Sequence, residues 1–485
     1  MTLTRKKRVL LTGGSGSMGS EAFKELLRRR DRYDISLLLL PEREIRKAFA
    51  KYENTEGIKI VWGNIYDKSS VEEAVAGTDH VLHVAALIPP MADKLPKKCT
   101  RTNYDGTKNI LAAIKKRTEM GEDVSLVYIS SVAVYGDRLP PNHMLRVGDP
   151  LRPSIGDVYA TTKINSERAI IESGLRRWAI LRQTYIAIPN ALTLMDPIMF
   201  HQPLNTRLEL ITNQDAGYGV VQTLEAPDEF YRRVYNMSGG PKCRVVYADY
   251  LDRMMRIFGY GDYRRLFRRN WFALRNFHCG WCADSHLLNN YLGHWRQTLD
   301  DHYTQVTDNI PFSLKVGTKI GPEFLVRAYL KRMADPLKWI ERDDVEKVKA
   351  FFGSHAAWEK IPGWDTPLDS EDLEGPTVQP QENYRKGFPK TIEGMTVLAA
   401  TRGGRCNSSE YVDDSIPLKW SCGRNHLWTA SPALVRAGHW CPECSPPPWN
   451  YDAVAKVDPL IAKYHYSNHS PDESQKVMCL YEDEE

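Results

Sequence analysis

The chain has 485 residues and a formal net charge of +4, and 42% of its residues are apolar, 26% charged and 10% aromatic. This length predicts two or three domains, because one hydrophobic core rarely serves so many residues. The small net charge gives no general argument for a nucleic-acid or membrane-surface protein. Apolar stretches stay far shorter than a bilayer span, and the N-terminus lacks the apolar core of a secretory signal. We therefore expect no membrane partner.

The chain contains nine cysteines, and four of them fall in one C-terminal segment with a spacing typical of metal ligands. An odd number with this grouping favours reduced thiols over a disulfide framework. This pattern predicts a cytoplasmic protein.

Short apolar runs alternate with helical patterns from residue 8 to residue 185. The runs are Val9–Leu11, Ile35–Leu40, Lys59–Gly63, His80–Ala86, Ser125–Ser131 and Trp178–Gln183. Runs that are buried on both faces and separated by helices indicate a doubly wound parallel sheet. Right-handed crossovers then predict an α/β protein with a Rossmann-like arrangement.

The chain is less regular after this alternating region. Arg232–Gly240 predicts one more strand and a turn, and Asp249–Gly259 and Pro322–Met333 have helical periodicity. The last of these segments is basic and amphipathic, and we interpret it as a helix that covers the sheet rather than a membrane anchor. From residue 361 the chain is rich in proline and acidic residues without periodicity, which is typical of a linker.

A glycine-rich loop follows the first predicted strand and opens a helix, with the sequence TGGSGSMG at residues 12–19. Glycines in this context allow a tight turn, a close approach of the backbone to a pyrophosphate and close packing of helix on strand. The loop predicts a dinucleotide site. Its cofactor-binding residues are Gly13, Ser15, Gly16, Ser17, Met18 and Gly19.

The choice between NAD and NADP depends on the end of the second strand. NAD sites usually place an acidic side chain about 20 residues after the loop begins, where it binds the ribose. Here Leu39, Leu40 and Pro41 occupy that point, and Arg43 follows. Arg43, with Arg46 and Lys47, suits a 2′-phosphate and favours NADP, while Glu42 keeps NAD open.

The segment Tyr159–Lys163, with the sequence YATTK, places a phenol and an ammonium four residues apart on one helix face. A phenol has a pKa near 10, so it needs a nearby positive charge to act as a base at neutral pH. Lys163 supplies that charge, and Ser131 at the end of the fifth strand can bind the substrate oxygen. The order of loop, serine, tyrosine and lysine predicts catalysis at a carbon–oxygen centre.

Taken together, these motifs resemble the extended short-chain dehydrogenase/reductase family, also called the NAD-dependent epimerase/dehydratase family. The matching pieces are TGGSGSMG at 12–19, HVAA at 83–86, NYDGTKN at 103–109, SSVAVYG at 130–136 and YATTK at 159–163. The likeness covers residues 8 to 240 and weakens toward residue 350. It implies Ser131, Tyr159 and Lys163 as catalytic residues, with Lys163 also on the nicotinamide ribose. It further implies cofactor contacts at Asn64, where the family usually has Asp, and at Ile65, Ala85, Ala86 and Asn103.

The resemblance also narrows the reaction. Sugar-nucleotide dehydratases of this family usually carry Thr-Asp-Glu where this chain has Ser131-Val132-Ala133, which argues against dehydration. Two reactions remain possible for the family's catalytic residues. One is net redox at a secondary alcohol or ketone, and the other is epimerisation by transient oxidation. An exchangeable NADP favours the net oxidoreductase, with a nucleotide-sugar epimerase holding NAD as the alternative. A regulatory or nucleic-acid-binding protein that senses a dinucleotide is the alternative from another class.

The substrate side carries few clear signals. Four arginines are candidates to hold a diphosphate or to act structurally: Arg182, Arg207, Arg232 and Arg233. The aromatic stretch 270–278 suits either an apolar pocket or the core. Cys279 and Cys282 form a CxxC pair beside His278. We interpret this pair as reduced thiols rather than as metal ligands.

The C-terminal cysteines predict a zinc site. Cys422, Cys441 and Cys444 are expected ligands, and the fourth is Cys406 or His426. The surrounding pattern of glycines, tryptophans and cysteines resembles a small zinc-ribbon family, and zinc would hold so small a segment folded. Lys419, Arg424, Arg436 and the tryptophans at 420, 428 and 440 could form a nucleic-acid surface, but docking of the ribbon on the enzyme is favoured.

These observations predict five segments and a homodimer. They are a dinucleotide-binding domain over residues 1–240, a substrate-side helical region over 241–360, a linker over 361–395, a zinc-ribbon-like domain over 396–448 and a mobile tail over 449–485.

Overall fold

The protein is described by a computed structural model over residues 5–190, 196–311, 323–368, 387–444 and 450–473. Its strands are β1 (Lys7–Thr12), β2 (Tyr33–Leu39), β3 (Ile58–Trp62), β4 (His80–His83), β5 (Ser125–Ser131), β6 (Met144–Leu145), β7 (Trp178–Gln183), β8 (Ile186–Ala187), β9 (Arg207–Glu209), β10 (Ile211–Thr212), β11 (Arg233–Met237), β12 (Arg244–Val246), β13 (Trp281–Cys282), β14 (Arg405–Cys406), β15 (Leu418–Ser421) and β16 (Leu427–Ala430).

The α-helices surround the sheets. They are α1 (Ser17–Arg28), α2 (Arg43–Phe49), α3 (Lys68–Val75), α4 (Met91–Lys94), α5 (Pro96–Thr100), α6 (Gly106–Thr118), α7 (Val158–Ile171), α8 (Asn213–Gln222), α9 (Tyr247–Ile257), α10 (His286–Leu292), α11 (Leu299–Asn309), α12 (Glu323–Met333), α13 (Asp335–Glu341), α14 (Val345–Phe352), α15 (His355–Glu359), α16 (Ile392–Thr401), α17 (Pro432–Arg436), α18 (Tyr451–Ala455) and α19 (Pro459–His465). None of these helices combines the length and the apolar character needed to cross a bilayer.

Seven parallel strands form the central sheet, in the order β11-β7-β5-β4-β1-β2-β3. Central strands such as β5 are buried along their whole length, which explains their continuous apolar runs. The chain moves outward in one direction from β1 through β3 and then returns to start the other half at β4. The prediction of a doubly wound Rossmann-like sheet is confirmed, and the strand order reverses between β1 and β4.

The later elements partly match the sequence expectations. The predicted strand and the first predicted helix correspond to β11 and α9, and the second helix corresponds to α12, with Pro322 outside the described residues. Helix α16 begins at Ile392, inside the expected linker, of which residues 369–386 are not described. The expected tail contains the helices α18 and α19, which bury several of their side chains, and residues 474–485 are not described.

The C-terminal cysteine segment does not form a separate core. Trp420 and Leu434 belong to the same buried apolar cluster as Ile170 of α7 and Trp178 of β7. We call residues 392–444 the cysteine module. Its apolar side chains pack on the face of the sheet that α7 covers, because the module has few aliphatic residues of its own.

Candidate active site

The glycine loop lies where the strand order reverses, at the carboxyl ends of β1 and β4. Gly13 has φ +74°, and a Cβ atom there would lie 2.7 Å from the backbone nitrogen of Ala85. A Cβ on Gly19 would lie 2.0 Å from the carbonyl oxygen of Gly13. Both positions therefore require glycine, and α1 begins directly behind the loop with its free N–H groups toward the crevice.

The loop after β4 is tied to β1 by side-chain hydrogen bonds. The hydroxyl of Thr12 lies 3.0 Å from Nδ1 of His83 and accepts the N–H groups of Val84 and Ala85 at 3.2 and 3.1 Å. These contacts place Ala85 and Ala86 beside the glycine loop, where a dinucleotide would cross the sheet edge.

Asn103 lies in a π-helical turn, Arg101–Asp105, and faces the same loop. Its Oδ1 accepts the N–H of Leu87 at 2.7 Å, and its Nδ2 donates to the Leu87 carbonyl at 2.9 Å and to Thr162 at 3.1 Å. The amide is therefore engaged by the protein itself. It joins the loop after β4 to α7, and π-turns of this kind often occur at functional sites.

The remaining predicted cofactor residues lie at the ends of β2 and β3. Arg43 is exposed at the start of α2, while Arg46 lies over the ring of Trp62 with its Cζ 4.5 Å from the centroid. Asn64 is half-buried just after β3, and Ile65 is buried against Gly106. Arg46 is thus engaged by an aromatic ring, whereas Arg43 is exposed.

The three predicted catalytic residues come together at the next strand ends. Ser131 ends β5, and its Oγ accepts the N–H of Ala133 at 3.1 Å. Tyr159 and Lys163 lie one turn apart on α7, and Lys163 Nζ is 5.6 Å from the centroid of the Tyr159 ring. The same Nζ donates a 2.7 Å hydrogen bond to the carbonyl of Ile129. All three side chains are nearly buried, which limits access of water to the phenol.

Burial dominates the electrostatics of this group. It raises the pKa of Tyr159 above 10, a hydrogen bond with Ser131 opposes this shift, and the charge of Asp157 adds to it. Burial also lowers the pKa of Lys163 to about 7. Burial therefore favours the protonated phenol, and a lowering of its pKa by Lys163 stays a prediction. A protonated phenol is the form that can donate a proton to a carbonyl oxygen.

Two residues near the triad were missed by the sequence analysis. Asp157 caps α7 by accepting the N–H of Ala160 at 2.8 Å, and its other carboxylate oxygen lies 3.3 Å from Nδ1 of His278. Asn276, with φ +68°, binds the N–H and the carbonyl of Ile155 at 2.7 and 3.1 Å. An aspartate before a helix is a recognisable cap signal, but nothing local links it to residues 276–278.

The candidate substrate-side residues are mostly structural. Arg182 is fully buried and pairs with Glu167 at 2.6 Å, so it cannot hold a diphosphate. Arg233 begins β11, opposite Ala179 near the start of β7, and Arg232 precedes it, so both lie at the amino edge of the sheet.

The other candidates from this region are buried in the protein. Arg207 is 2% exposed and lies near the ring of Trp281. In the aromatic stretch, Trp271 and Phe272 belong to the core of the substrate-side region. Burial raises the pKa of Cys279 to about 12, and Cys279 and Cys282 do not join a group of three metal-type ligands in the described part of the chain.

A four-residue ligand group lies in the cysteine module. Cys422, His426, Cys441 and Cys444 each offer an atom, and these atoms all lie within 4.8 Å of one another. Three thiols and one imidazole at this spacing suit tetrahedral zinc. Cys406 is outside the group, on β14 opposite Trp420, so the geometry favours His426 as the fourth ligand.

The tryptophans of the module pack against one another. Trp440 lies between Trp420 and Trp428, with ring centroids 6.0 and 4.9 Å away, and Trp420 is fully buried. Arg436 donates to the carbonyl of Phe388 at 2.6 Å. Trp420 and Trp440 are buried and cannot stack on bases, while Trp428 is half-buried, and a nucleic-acid surface stays an untested alternative.

Comparison with known proteins gives partial matches. Residues 10–179 match the sequence profile of the 3-beta hydroxysteroid dehydrogenase/isomerase family. A UDP-N-acetyl-alpha-D-glucosaminuronate decarboxylase from Bacillus cytotoxicus is 34% identical over 139 residues, which are 28% of this chain and 40% of that protein. A UDP-glucose 4-epimerase from Rickettsia bellii is 31% identical over 110 residues, which are 22% of this chain and 32% of that protein. The matched region thus spans less than half the length of these relatives.

The fold itself has solved counterparts. A dTDP-glucose 4,6-dehydratase from Bacillus anthracis, solved in complex with NAD, aligns with a TM-score of 0.51 at 15% identity. The alignment covers 62% of this chain and 96% of that one. At this identity the likeness concerns the fold, and it agrees with the Rossmann-like sheet described above.

Proposed function

We propose that this protein is an oxidoreductase of the extended short-chain dehydrogenase/reductase type, acting at a secondary alcohol or ketone with a nicotinamide dinucleotide. The observation that carries the proposal is the convergence of Ser131, Tyr159 and Lys163 at the carboxyl ends of the strands, next to the glycine loop. Ligands of open α/β sheets bind at this edge, beside the reversal of strand order.

The chain's own residues supply the binding and proton steps. The bound nicotinamide would supply or accept the hydride. Tyr159, held protonated by burial, donates its proton to the substrate oxygen during carbonyl reduction, and Ser131 hydrogen-bonds that oxygen. Lys163, one turn along α7, is placed to bind the ribose when it turns from the Ile129 carbonyl.

The cofactor is proposed to be NADP, with NAD as the alternative. Leu40 and Pro41 leave no acidic side chain for the ribose directly after β2, and exposed Arg43 suits a 2′-phosphate. Arg43→Ala should therefore weaken NADPH binding more than NADH binding. Arg46→Ala is the matched control, because Arg46 is already held over Trp62. Equal affinity of the wild-type protein for NADPH and NADH would contradict the proposed preference for NADP.

The cysteine module is proposed to hold one zinc ion through Cys422, His426, Cys441 and Cys444. Hydrogen bonds from Cys444 and His426 lower the pKa of Cys441, which favours a thiolate at this position.

A nucleotide-sugar epimerase is the second candidate, because the relatives with the names quoted above act on UDP-sugars. One experiment separates the two. The purified protein is mixed with NADPH or NADH and a panel of ketones and UDP-sugars, and both nicotinamide absorbance and sugar stereochemistry are followed. Net oxidation of the nicotinamide supports the oxidoreductase, and a changed sugar without net redox supports the epimerase. Failure to bind either dinucleotide would contradict both. The homodimer stays a prediction, which light scattering can test.

A further inference from the structure

The cysteine module contacts the active-site helix through one buried polar cluster. Glu167 lies one turn after Lys163 and two turns after Tyr159, so the three side chains follow one another along α7. Its carboxylate accepts Ser130 Oγ at 2.5 Å and Arg182 Nη2 at 2.6 Å. Ser130 is the neighbour of Ser131 on β5. Glu167 therefore joins the strand that carries the catalytic serine to the helix that carries the other two residues.

The module completes this cluster from the other side. Nε2 of His439 lies 3.4 Å from Glu167 Oε2, and Arg182 Nη2 also donates to the carbonyl of Ala437 at 2.7 Å. The side chains of Glu167, Arg182 and His439 are at most 1% exposed. A buried charge pair of this kind needs all its hydrogen-bonding partners, because water cannot replace one that leaves.

Further contacts fix the module along the same helix. Arg168 donates to the carbonyl of Trp440 at 3.3 Å, and Ser431 Oγ donates to Glu172 at 2.7 Å. Gly438 has φ +101°, and a Cβ there would lie 2.1 Å from the carbonyl oxygen of Asp149, just ahead of the α7 region. The backbone of 437–440 thus touches α7 and the loop that precedes it.

The ligand group fixes this same stretch of backbone. Cys441 follows Trp440 directly, and His439 is two residues from this ligand. The backbone of 437–440 lies between the ligand group on one side and Glu167 and Arg182 on the other. An ion bound by four ligands restrains their backbone, and a small metal module loses its fold when the ion leaves.

We propose that the metal site is coupled to the dinucleotide site, with His439 and Glu167 as positioning residues that hold α7 and therefore Tyr159 and Lys163 in place. This proposal rests on the proposed zinc site and dinucleotide site. Coupling between two sites is reciprocal: metal changes dinucleotide affinity by the factor by which dinucleotide changes metal affinity.

The first test measures this factor in the full chain. NADPH and NADH affinity are measured by fluorescence before and after zinc removal with a chelator, and zinc affinity is measured by chelator competition with and without the dinucleotide. We expect zinc removal to weaken dinucleotide binding by about fivefold or more, within the usual range of coupling, and the two factors to agree. Equal dinucleotide affinity with and without zinc would overturn the proposal, and so would a protein that binds no zinc.

The second test keeps zinc bound and changes the contact between His439 of the cysteine module and Glu167 of α7. His439→Phe removes the imidazole beside Glu167 but leaves the four ligands, and we expect weaker dinucleotide binding with unchanged zinc content. His439→Gln returns a polar N–H group to the position 3.4 Å from Glu167 and should recover part of the affinity. His80→Gln is the matched control, because His80 is also buried but lies on β4, hydrogen-bonded to Ser125. Full affinity in zinc-loaded His439→Phe would contradict the positioning role.

A third measurement does not depend on the dinucleotide. Amide hydrogen exchange should become faster in α7 when zinc is removed or His439 is replaced by Phe, while α1 on the far face of the sheet keeps its protection. Unchanged exchange in α7 would overturn the coupling even if the dinucleotide binds. If neither dinucleotide binds the zinc-loaded protein, the proposed function fails, and the exchange rates in α7 still decide whether the module holds the helix.

Discussion

The ammonium of Lys163 donates a 2.7 Å hydrogen bond to the carbonyl oxygen of Ile129, two residues before Ser131 on β5. This bond holds the lysine against the strand that ends in Ser131. The proposed contact of Lys163 with a ribose would require the ammonium to leave the Ile129 carbonyl.

The titration of Lys163 predicts a pH dependence of stability. Burial lowers its pKa from 10.5 to about 7 in the folded protein, so between these values the unfolded chain binds more protons. The free energy of unfolding should therefore gain up to about 1.4 kcal/mol per pH unit from this group as pH rises through this window. Below pH 7 the lysine is protonated in both the folded and the unfolded state, so it adds no pH dependence to the free energy of unfolding.

Lys163→Met isolates that contribution. Denaturant unfolding of the dinucleotide-free protein at several pH values should give a shallower rise between pH 7 and 10.5 in the variant than in the wild type. Parallel curves would show that the folded lysine keeps its ordinary pKa.

Replacement of Tyr159 by Phe tests the proton transfer. The variant keeps the ring but cannot donate a proton, so turnover should fall by about 10²- to 10⁴-fold while dinucleotide affinity changes little. Tyr235→Phe is the control, because Tyr235 is also buried but its hydroxyl donates to the Phe230 carbonyl away from the site. Substantial turnover in Tyr159→Phe would assign the proton transfer to another group.

Two substitutions in the glycine loop should have unequal effects. A Cβ on Gly19 would lie 2.0 Å from the Gly13 carbonyl, whereas a Cβ on Gly14 meets only side-chain atoms at 3.5 Å or beyond. Overpacking typically costs about 1–3 kcal/mol of stability, and Gly19→Ala should also weaken dinucleotide binding, because the clash moves the Gly13 backbone within the loop. Gly14→Ala should fold normally and bind more tightly than Gly19→Ala. Fluorescence titration with NADPH and NADH provides the comparison, and a reversed order would place the pyrophosphate elsewhere.

The fourth zinc ligand can be identified by a matched pair of variants. His426→Ala should lower zinc affinity by at least about tenfold, since even outer-shell changes cost that much. Cys406→Ser should leave about one zinc per chain, because Cys406 is outside the ligand group. Metal analysis and chelator competition provide the measurements. If Cys406→Ser lost zinc and His426→Ala kept it, Cys406 would be the fourth ligand in place of His426.

The geometric features that agree with the sequence expectations are encoded locally. The glycine loop follows a buried strand and opens a helix, and Tyr159 and Lys163 need only helical spacing to lie on one side of α7. The Rossmann-like order follows equally from alternating buried strands and helices. In each case the signal and the structure lie within a few residues of each other.

The rest depends on contacts between distant residues. The sequence leaves Arg182 open to a diphosphate or a structural role, and the fold buries it against Glu167 and the carbonyl of Ala437, 255 positions away. The raised pKa of Tyr159 follows from burial, which residue spacing does not contain. The placement of His278 beside Asp157 likewise requires the folded loop.

The position of the cysteine module has a consequence for biosynthesis. The apolar face of α7 and β7, which includes Ile170 and Trp178, is covered by side chains such as Trp420 and Leu434 that are translated much later. At about 5–20 residues per second, this face waits roughly 15–50 s on the ribosome for its cover. A nascent chain in that interval exposes aromatic and aliphatic surface along α7 and β7. Efficient production of this protein should therefore depend on chaperones that hold the first half until the cysteine module has been made.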